Sequence, residues 1–222
     1  MIKPEWRTVT LESVRTETPD ARTFVFSTDY GFEPGQFVNI LFAGDEAMGR
    51  RSFSIASGPG ERLELTVKRV GRFTTALFDA AIGTGFEVLG PLGLPYIRAH
   101  HDDPYLFIAG GSGIAPFRSL MRDPRSSPMR FTLIDSNKTY DDIIYRDEMR
   151  TWKATIIHTL TREEREGFRH GRINRELLET IPDIQAHRIL ICGPPGLVSS
   201  AIAHLIALGI PMNHIKTESW GN

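Results

Sequence analysis

A glycine-rich turn in the 222-residue chain has the spacing of a phosphate-binding segment. The segment IAGGSGIAPFRSLM, residues 108–121, runs from an apolar stretch through three glycines and a proline into a helical pattern. Glycines at such a turn let the backbone approach a pyrophosphate, and some of them permit a positive φ. Pro116 suits the first turn of the helix that follows. We therefore expect cofactor contacts from Gly110, Gly111, Ser112, Gly113, Ile114, Ala115 and Pro116.

The turn matches the dinucleotide fingerprint G-x-G-x-x-G only in part. Gly111 and Gly113 fit the pattern, but Pro116 stands where the third glycine would be. An ordinary Rossmann dehydrogenase is therefore disfavoured. A tight strand-to-helix turn that binds no ligand is the alternative that the turn alone leaves open.

The chain after Pro104 alternates between apolar runs of strand length and segments of helical period. Apolar strands separated by helices are typical of a parallel sheet covered on both faces. We therefore predict an α/β doubly wound domain, in which ligands bind beyond the carboxyl ends of the strands. The predicted strands are YLFIAG, RFTLID, ATIIHTL, HRILICG and HIKTE, and the predicted helices are IAPFRSLM, DDIIYRDEMR, INRELLETI and GLVSSAIAHLIALG.

The first part of the chain has a different pattern, with short segments rich in Val, Ile, Phe and Thr separated by glycine and proline turns. This pattern indicates an antiparallel sandwich or barrel. The one helical segment predicted there is TTALFDAAI, from Thr74 to Ile82. We predict a barrel domain over residues 1–99, an α/β domain over residues 100–222, and a polar linker at residues 98–103.

Composition narrows the possible functions. With 26 Lys and Arg against 27 Asp and Glu, the net charge of -1 favours neither nucleic acid nor an anionic membrane as a partner. Cys192 is the single cysteine, so these residues cannot supply a disulfide or several thiolates to a metal cluster. The His100 to Asp103 run lies at the expected linker, and we predict no metal site. Neither a signal peptide nor a membrane span is predicted, so a cytoplasmic protein is expected.

Six short motifs follow one another in an order that identifies a family. They are PGQFV (34–38), RSFS (51–54), GRFTTAL (71–77), GPLG (90–93), GGSGIAP (110–116) and CGPPG (192–196). Taken together, from about residue 8 to the C-terminus, the chain resembles the ferredoxin–NADP(H) reductase family of flavoproteins. The resemblance implies a Greek-key, flavin-binding antiparallel β-barrel followed by an α/β pyridine-nucleotide domain.

The resemblance implies a flavin site around RSFS and GRFTTAL. Arg51 would pair with the flavin phosphate, and the Ser54 hydroxyl would form a hydrogen bond near flavin N5. Phe53 stands where the family usually has tyrosine, so the aromatic face is kept and the phenol hydroxyl is lost. Thr74 would cap or contact the phosphates at the start of the barrel helix. The flavin contacts predicted in this way are Arg51, Ser52, Phe53, Ser54, Val67, Lys68, Gly71, Arg72, Phe73 and Thr74.

Further roles are implied for the second domain. Cys192, followed by Gly193 and Pro194, would lie beside the reacting nicotinamide, with Glu218 as a nearby carboxylate. Trp220 would cover the flavin ring. The segment after the second parallel strand would reach the adenosine ribose through Ser136, Asn137 and Lys138, joined by Arg162. The signals for NADH and NADPH conflict there, because Asp135 would repel a 2'-phosphate that Ser136, Lys138 and Arg162 could receive. The stretch from Ser136 to Thr139, with an acidic helix start after it, looks more like that of NADH-using relatives.

The function implied is that of an NAD(P)H-dependent flavoprotein reductase that exchanges electrons with ferredoxin, flavodoxin or another small carrier. FAD is expected in preference to FMN. An electron-input reductase of a multicomponent oxygenase is one alternative, and a non-catalytic nucleotide-binding module is another.

Overall fold

The computed structural model describes residues 4–28, 31–96, 103–126 and 129–219. The chain divides into two compact units. The first unit comprises residues 1–99 together with 115–126, and the second comprises residues 100–114 and 127–222. The predicted domain boundary after residue 99, the predicted linker up to residue 102, and Trp220 lie outside the described residues, so these stay predictions.

The first unit is an antiparallel barrel, as predicted. Its strands form one six-stranded sheet in the order β4-β3-β6-β1-β2-β5. The long strand β1 pairs with β6 through its first half and with β2 through its second half. A bridge between Ile55 and Leu65 joins the two outer strands, and we call this closure, formed by residues 55–56 and 64–65, the barrel seam. The strands are β1 (Glu5–Thr18), β2 (Ala21–Phe26), β3 (Phe37–Phe42), β4 (Arg51–Ser54), β5 (Leu63–Lys68) and β6 (Gly85–Leu92).

The barrel helix α1 spans Arg72–Asp79, so it begins and ends earlier than the predicted segment Thr74–Ile82. The Thr74 side chain accepts hydrogen bonds from the amides of Val70 and Gly71, which makes Thr74 the third helical residue instead of the residue before the helix. Phe73, Thr74, Leu77 and Phe78 form its buried face. The hydrogen bonds from the Val70 and Gly71 amides to the Thr74 side chain therefore determine where this helix starts.

The second unit is a parallel sheet in the order β10-β9-β8-β7-β11-β12, which confirms the doubly wound prediction. The order reverses between β7 and β11, and this reversal is the switch point at which such sheets bind ligands. The strands are β7 (Tyr105–Gly110), β8 (Phe131–Asn137), β9 (Thr155–Leu160), β10 (Arg169–His170), β11 (Arg188–Gly193) and β12 (Ile215–Ser219).

Three further α-helices lie in the described part of the chain. Helix α2 (Ala115–Met121) follows the glycine turn, and its residues group with the first unit. Helices α3 (Arg175–Glu179) and α4 (Pro195–Ala207) pack on one face of the parallel sheet through Leu177, Val198 and Leu205. None of the helices in the described ranges has the length and apolar character needed to cross a membrane.

The helix predicted for DDIIYRDEMR does not form. Two short 3-10 turns, Tyr140–Asp142 and Glu148–Thr151, occupy the two ends of this segment, and Tyr145 between them has a φ of 62°. Ile143, Ile144 and Tyr145 are all buried, and three consecutive residues cannot all lie on one face of a helix. Burial of the whole apolar triplet therefore overrides the local helical pattern.

Candidate functional site

The first unit brings the strand motif RSFS and the start of α1 together. The Arg51 guanidinium carbon lies 5.8 Å from the centroid of the Phe73 ring. The Phe53 and Phe73 ring centroids are 6.1 Å apart. Arg51 is exposed, and its guanidinium makes one hydrogen bond, to the Arg50 carbonyl, with no carboxylate of the described residues in ion-pair distance. A cation held beside a helix start without an acidic partner suits a phosphate group.

The first turn of α1 offers backbone donors at the same place. The first amides of an α-helix have no acceptor within the helix, and here these belong to Arg72, Phe73 and Thr74. Gly71, just before the helix, has open space around it, because a Cβ built there meets no atom within 4 Å. Positive dipole, free amides and open space next to Arg51 fit the phosphates of a flavin nucleotide.

The other predicted flavin contacts differ in their exposure and in whether their side chains already contact other residues of the protein. The Ser54 side chain is buried, with 8% of the residue exposed, and Arg72 is exposed. Ser52 donates to Asn39 Oδ1 at 2.6 Å. Val67 packs in the barrel core, and the Lys68 ammonium pairs with Asp20 at 3.1 Å. Ser52, Val67 and Lys68 therefore have side chains already engaged within the protein, and their predicted contacts with flavin stay predictions.

In the second unit, the turns after β7 and β11 meet at the switch point of the sheet. Gly111 has a φ of 55°, in the region that favours glycine. A Cβ on Gly113 would lie 2.1 Å from the Cys192 carbonyl oxygen, and one on Gly193 would lie 3.2 Å from the Gly110 nitrogen. The glycines are thus needed for the packing of one turn on the other, a reason that the sequence did not reveal. Of the remaining predicted contacts, Ser112 is half-buried, Pro194 is exposed, and Ile114, Ala115 and Pro116 are buried.

The strand register brings two of the predicted catalytic residues together. Cys192 on β11 is in register with Glu218 on β12 and with Ala109 on β7. Residues in register on neighbouring strands project to the same face of a sheet. Cys192 is 1% exposed, and Glu218 is half-buried. Ser54, the third predicted catalytic residue, is on β4 of the first unit.

A buried polar cluster, in which the part played by His158 was not predicted, lies one strand further along the sheet. Asp135 on β8 is 1% exposed, and its Oδ2 accepts a hydrogen bond from Asn137 Nδ2 at 2.8 Å. His158 Nδ1 lies 3.1 Å from the same oxygen. Burial raises the pKa of Asp135, although the bonds from His158 and Asn137 oppose the shift. Asp135 therefore faces the protein interior, and the Asn137 amide is engaged with it.

The loops after β8 and β9 bring together the other residues predicted for the adenosine end. The Arg162 amide donates to the Lys138 carbonyl at 2.9 Å, so the two residues lie side by side. Thr159 Oγ1 donates to Ser136 Oγ at 2.9 Å. Lys138 and Arg162 are exposed, and neither forms an ion pair within the described part of the chain. A hydroxyl near the carboxyl end of β8 and two cations just after β8 and β9 thus lie at one edge of the sheet.

A closed antiparallel barrel with a cation at a helix start, followed by a parallel sheet with glycine turns at its switch point, defines a flavin- and nicotinamide-dependent oxidoreductase. The family described as oxidoreductase FAD-binding domain matches residues 8–96. The family described as oxidoreductase NAD-binding domain matches residues 107–202. The chain belongs to the ferredoxin reductase-like family of flavoproteins, and FAD and NAD(P) are the ligands of its two units.

Curated relatives are similar over most of the chain. The reductase component of the naphthalene 1,2-dioxygenase system of Pseudomonas putida, named as a ferredoxin–NAD(P)(+) reductase, is 28% identical over 95% of this chain and 68% of its own length. The glycine betaine monooxygenase reductase subunit of Pseudomonas aeruginosa is 33% identical over 92% of this chain and 62% of its own length. The chain thus spans roughly two thirds of the length of these relatives.

Solved structures share the fold. The ferredoxin NADP+ reductase of Neisseria gonorrhoeae, solved with bound FAD and NADP, has a TM-score of 0.83 at 22% sequence identity. The match covers 98% of this chain and 99% of the reductase chain. The ferredoxin reductase in carbazole 1,9a-dioxygenase has a TM-score of 0.85 at 21% identity, over 99% of this chain and 70% of its own.

Proposed function

We propose that this chain is an NAD(P)H-dependent flavoprotein reductase that delivers electrons to a small electron-carrier protein. The observation that carries the proposal is the convergence of Arg51 and the free amides of α1, which together form a phosphate site in the unit that matches an FAD-binding family. When bound, FAD supplies hydride acceptance from a nicotinamide and release of electrons singly or in pairs.

The residues of the first unit hold and orient the flavin. Arg51 binds the phosphate through its guanidinium fork, and the α1 amides bind it through the positive end of the helix dipole. Phe53 packs an aromatic face against the ring system, and Ser54 places its hydroxyl at N5, where a hydroxyl can donate or accept as the ring changes redox state. No strong acid or base is required among these side chains.

In the second unit, the glycine turns at residues 110–113 and 193 bind the pyrophosphate of the nucleotide. Cys192, small and poorly solvated, shapes the site of the nicotinamide ring. Glu218, in register with it, adds a carboxylate to the same face. Hydride transfer then depends on bringing the two rings together, which is a task of positioning.

The nucleotide preference depends on Ser136, Lys138 and Arg162. A 2'-phosphate requires cations or hydroxyl donors, whereas a bare 2'-hydroxyl is well served by a carboxylate or an amide. The buried Asp135 is directed to His158 and Asn137, so it does not supply that carboxylate. The sequence-based preference for NADH stays a prediction, and it is tested by comparing kcat/KM for the two nucleotides. An NADPH preference above about tenfold, which corresponds to some 1.4 kcal/mol of transition-state binding, would reject it.

The electron acceptor is a ferredoxin or flavodoxin, or the cluster-bearing component of an oxygenase. The oxygenase role is favoured by the printed names of two relatives, a dioxygenase reductase component and a monooxygenase reductase subunit. With Cys192 as the single cysteine of these residues, a multi-thiolate cluster cannot be bound by them.

The proposal is tested by purification of the protein, identification of its released flavin, and assay of electron delivery. The expected protein is yellow, releases FAD and reduces an added ferredoxin or flavodoxin at the expense of NADH or NADPH. A preparation that is colourless and takes up no added FAD would refute the function. A yellow protein that neither nucleotide reduces would instead support the non-catalytic module.

A further inference from the structure

The largest fully buried side chain of the described residues is a cation, Arg118 on α2, which is 1% exposed. Its Nη1 donates to the Ala56 carbonyl at 3.0 Å and to Glu64 Oε2 at 2.6 Å. All three residues belong to the first unit. Replacing a buried ion pair with apolar side chains of similar volume is often neutral or stabilising, so stability alone does not account for a guanidinium here.

The two acceptors of Arg118 lie on opposite sides of the barrel seam. After β4, the chain leaves the neighbourhood of β3 and crosses to β5. The Ile55 amide still donates to the Gln36 carbonyl, whereas the Ala56 amide donates to the Glu64 carbonyl. Ala56 belongs to the β4 side of the seam and Glu64 to the β5 side. The Arg118 guanidinium is therefore a clamp that joins both sides at the point where the barrel closes.

We propose that Arg118 is a positioning residue for the flavin site, acting through the seam on Ser54. Ser54 lies two residues before Ala56, so a clamp on the Ala56 carbonyl limits where the Ser54 hydroxyl can lie. The inference rests on the proposed function, which places this hydroxyl at flavin N5. A displacement of about 1 Å in a positioning group is enough to slow a reaction roughly a hundredfold.

The decisive variant is the double substitution Arg118→Met with Glu64→Met, which removes the buried guanidinium and its half-buried carboxylate partner and retains side-chain bulk. Arg15, whose Nη2 lies 3.4 Å from Glu64, keeps Glu17 as its other partner in that variant. The matched control is Arg122→Met, at the residue directly after the same helix. Arg122 forms a bidentate pair with Glu61, but this pair is half-exposed and does not lie at the seam.

The measurements are urea unfolding of the flavin-free proteins, FAD affinity, the flavin midpoint potential and the limiting rate of flavin reduction. The double variant is expected to unfold near the wild-type urea midpoint and to bind FAD within about threefold of wild type, since Arg51 and α1 are unchanged. Its limiting rate is expected to fall about tenfold or more, with a shifted flavin potential and a KM for the nucleotide within about twofold of wild type. Arg122→Met is expected to leave the rate and the potential unchanged.

A double variant with the wild-type rate and potential would overturn the inference, as would a loss of rate explained by lost FAD. If the double variant does not fold, Arg118→Lys is tested by the same measurements. It is expected to show the same loss of rate, because one ammonium cannot reproduce the planar guanidinium fork across the seam. A wild-type protein that binds no FAD, or that neither nucleotide reduces, refutes the proposed function itself, whereas the variants test only the clamp.

Discussion

Cys192 and Glu218 lie in register on β11 and β12, at the carboxyl end of the parallel sheet. Both side chains therefore project to the same face, beside the switch point where β7 and β11 meet. The register gives a structural basis for the proposal that the two residues act at one nicotinamide site.

Substitution of Cys192 by serine is expected to slow hydride transfer while FAD binding and the fold are kept. Serine preserves the size of the side chain but brings a hydroxyl that requires hydrogen bonds in a buried position. The measurement is the rate of flavin reduction in anaerobic stopped flow. Ile191→Val is the matched control, because Ile191 belongs to the core on the α4 face of the same strand and should lose stability only. An unchanged rate in Cys192→Ser would exclude the residue from the site.

Arg51→Ala is expected to weaken FAD binding by about 1.5 to 3 kcal/mol, or roughly 10- to 150-fold, through loss of a charge-assisted phosphate contact. FAD affinity is measured from the quenching of flavin fluorescence on titration of the flavin-free protein. Arg50→Ala is the control, because Arg50 is an exposed neighbour that precedes β4. Equal FAD affinities in the two variants would show that Arg51 does not bind the phosphate.

Gly111→Val is expected to leave FAD bound and to weaken nucleotide binding by tenfold or more. Its φ of 55° is poorly tolerated by a β-branched residue, at a cost of about 1 to 3 kcal/mol. Gly196→Ala is the control, because a Cβ there meets no atom within 4 Å and the residue has no positive φ. Nucleotide affinity is measured by titration of the oxidised protein. Equal loss of flavin and nucleotide would contradict the assignment of one ligand to each unit.

Most of the residues in these tests lie in the short motifs that carry the family resemblance. Arg51, Thr74 and Gly111 lie in motifs whose local spacing already indicates a strand, a helix start and a turn. Arg118 and Glu64 are 54 positions apart, and neither segment shows by itself that Arg118 will be buried or that the two residues will pair. The burial of Asp135 and the irregular path around Tyr145 likewise depend on neighbouring strands and on packing, so local patterns could not predict them.

Asp135 is expected to make stability depend on pH. Burial raises its folded-state pKa above the unfolded value of about 3.9, so the native state holds the proton more tightly. The stability that this carboxyl contributes is complete below the unfolded pKa and is lost as pH rises through the folded pKa. Two variants are compared, His158→Gln alone and the double variant Asp135→Asn with His158→Gln. Both lack the neighbouring imidazole, so the difference in stability between them reports Asp135. Urea unfolding from about pH 4 upward should show the protein that retains Asp135 losing stability relative to the double variant. A difference that stays constant, or that changes in the opposite sense, would show that Asp135 has no raised pKa.

We expect this chain to move a hydride from NAD(P)H to FAD held by its own barrel. The most direct measurement is anaerobic stopped flow of the FAD-loaded protein with NADH and NADPH, each in normal form and deuterated at the transferring C4 position. At least one nucleotide is expected to bleach the oxidised flavin rapidly, and deuteration is expected to slow the bleaching. A protein that binds FAD but is not bleached by either nucleotide would show that it transfers no hydride from NAD(P)H to its flavin.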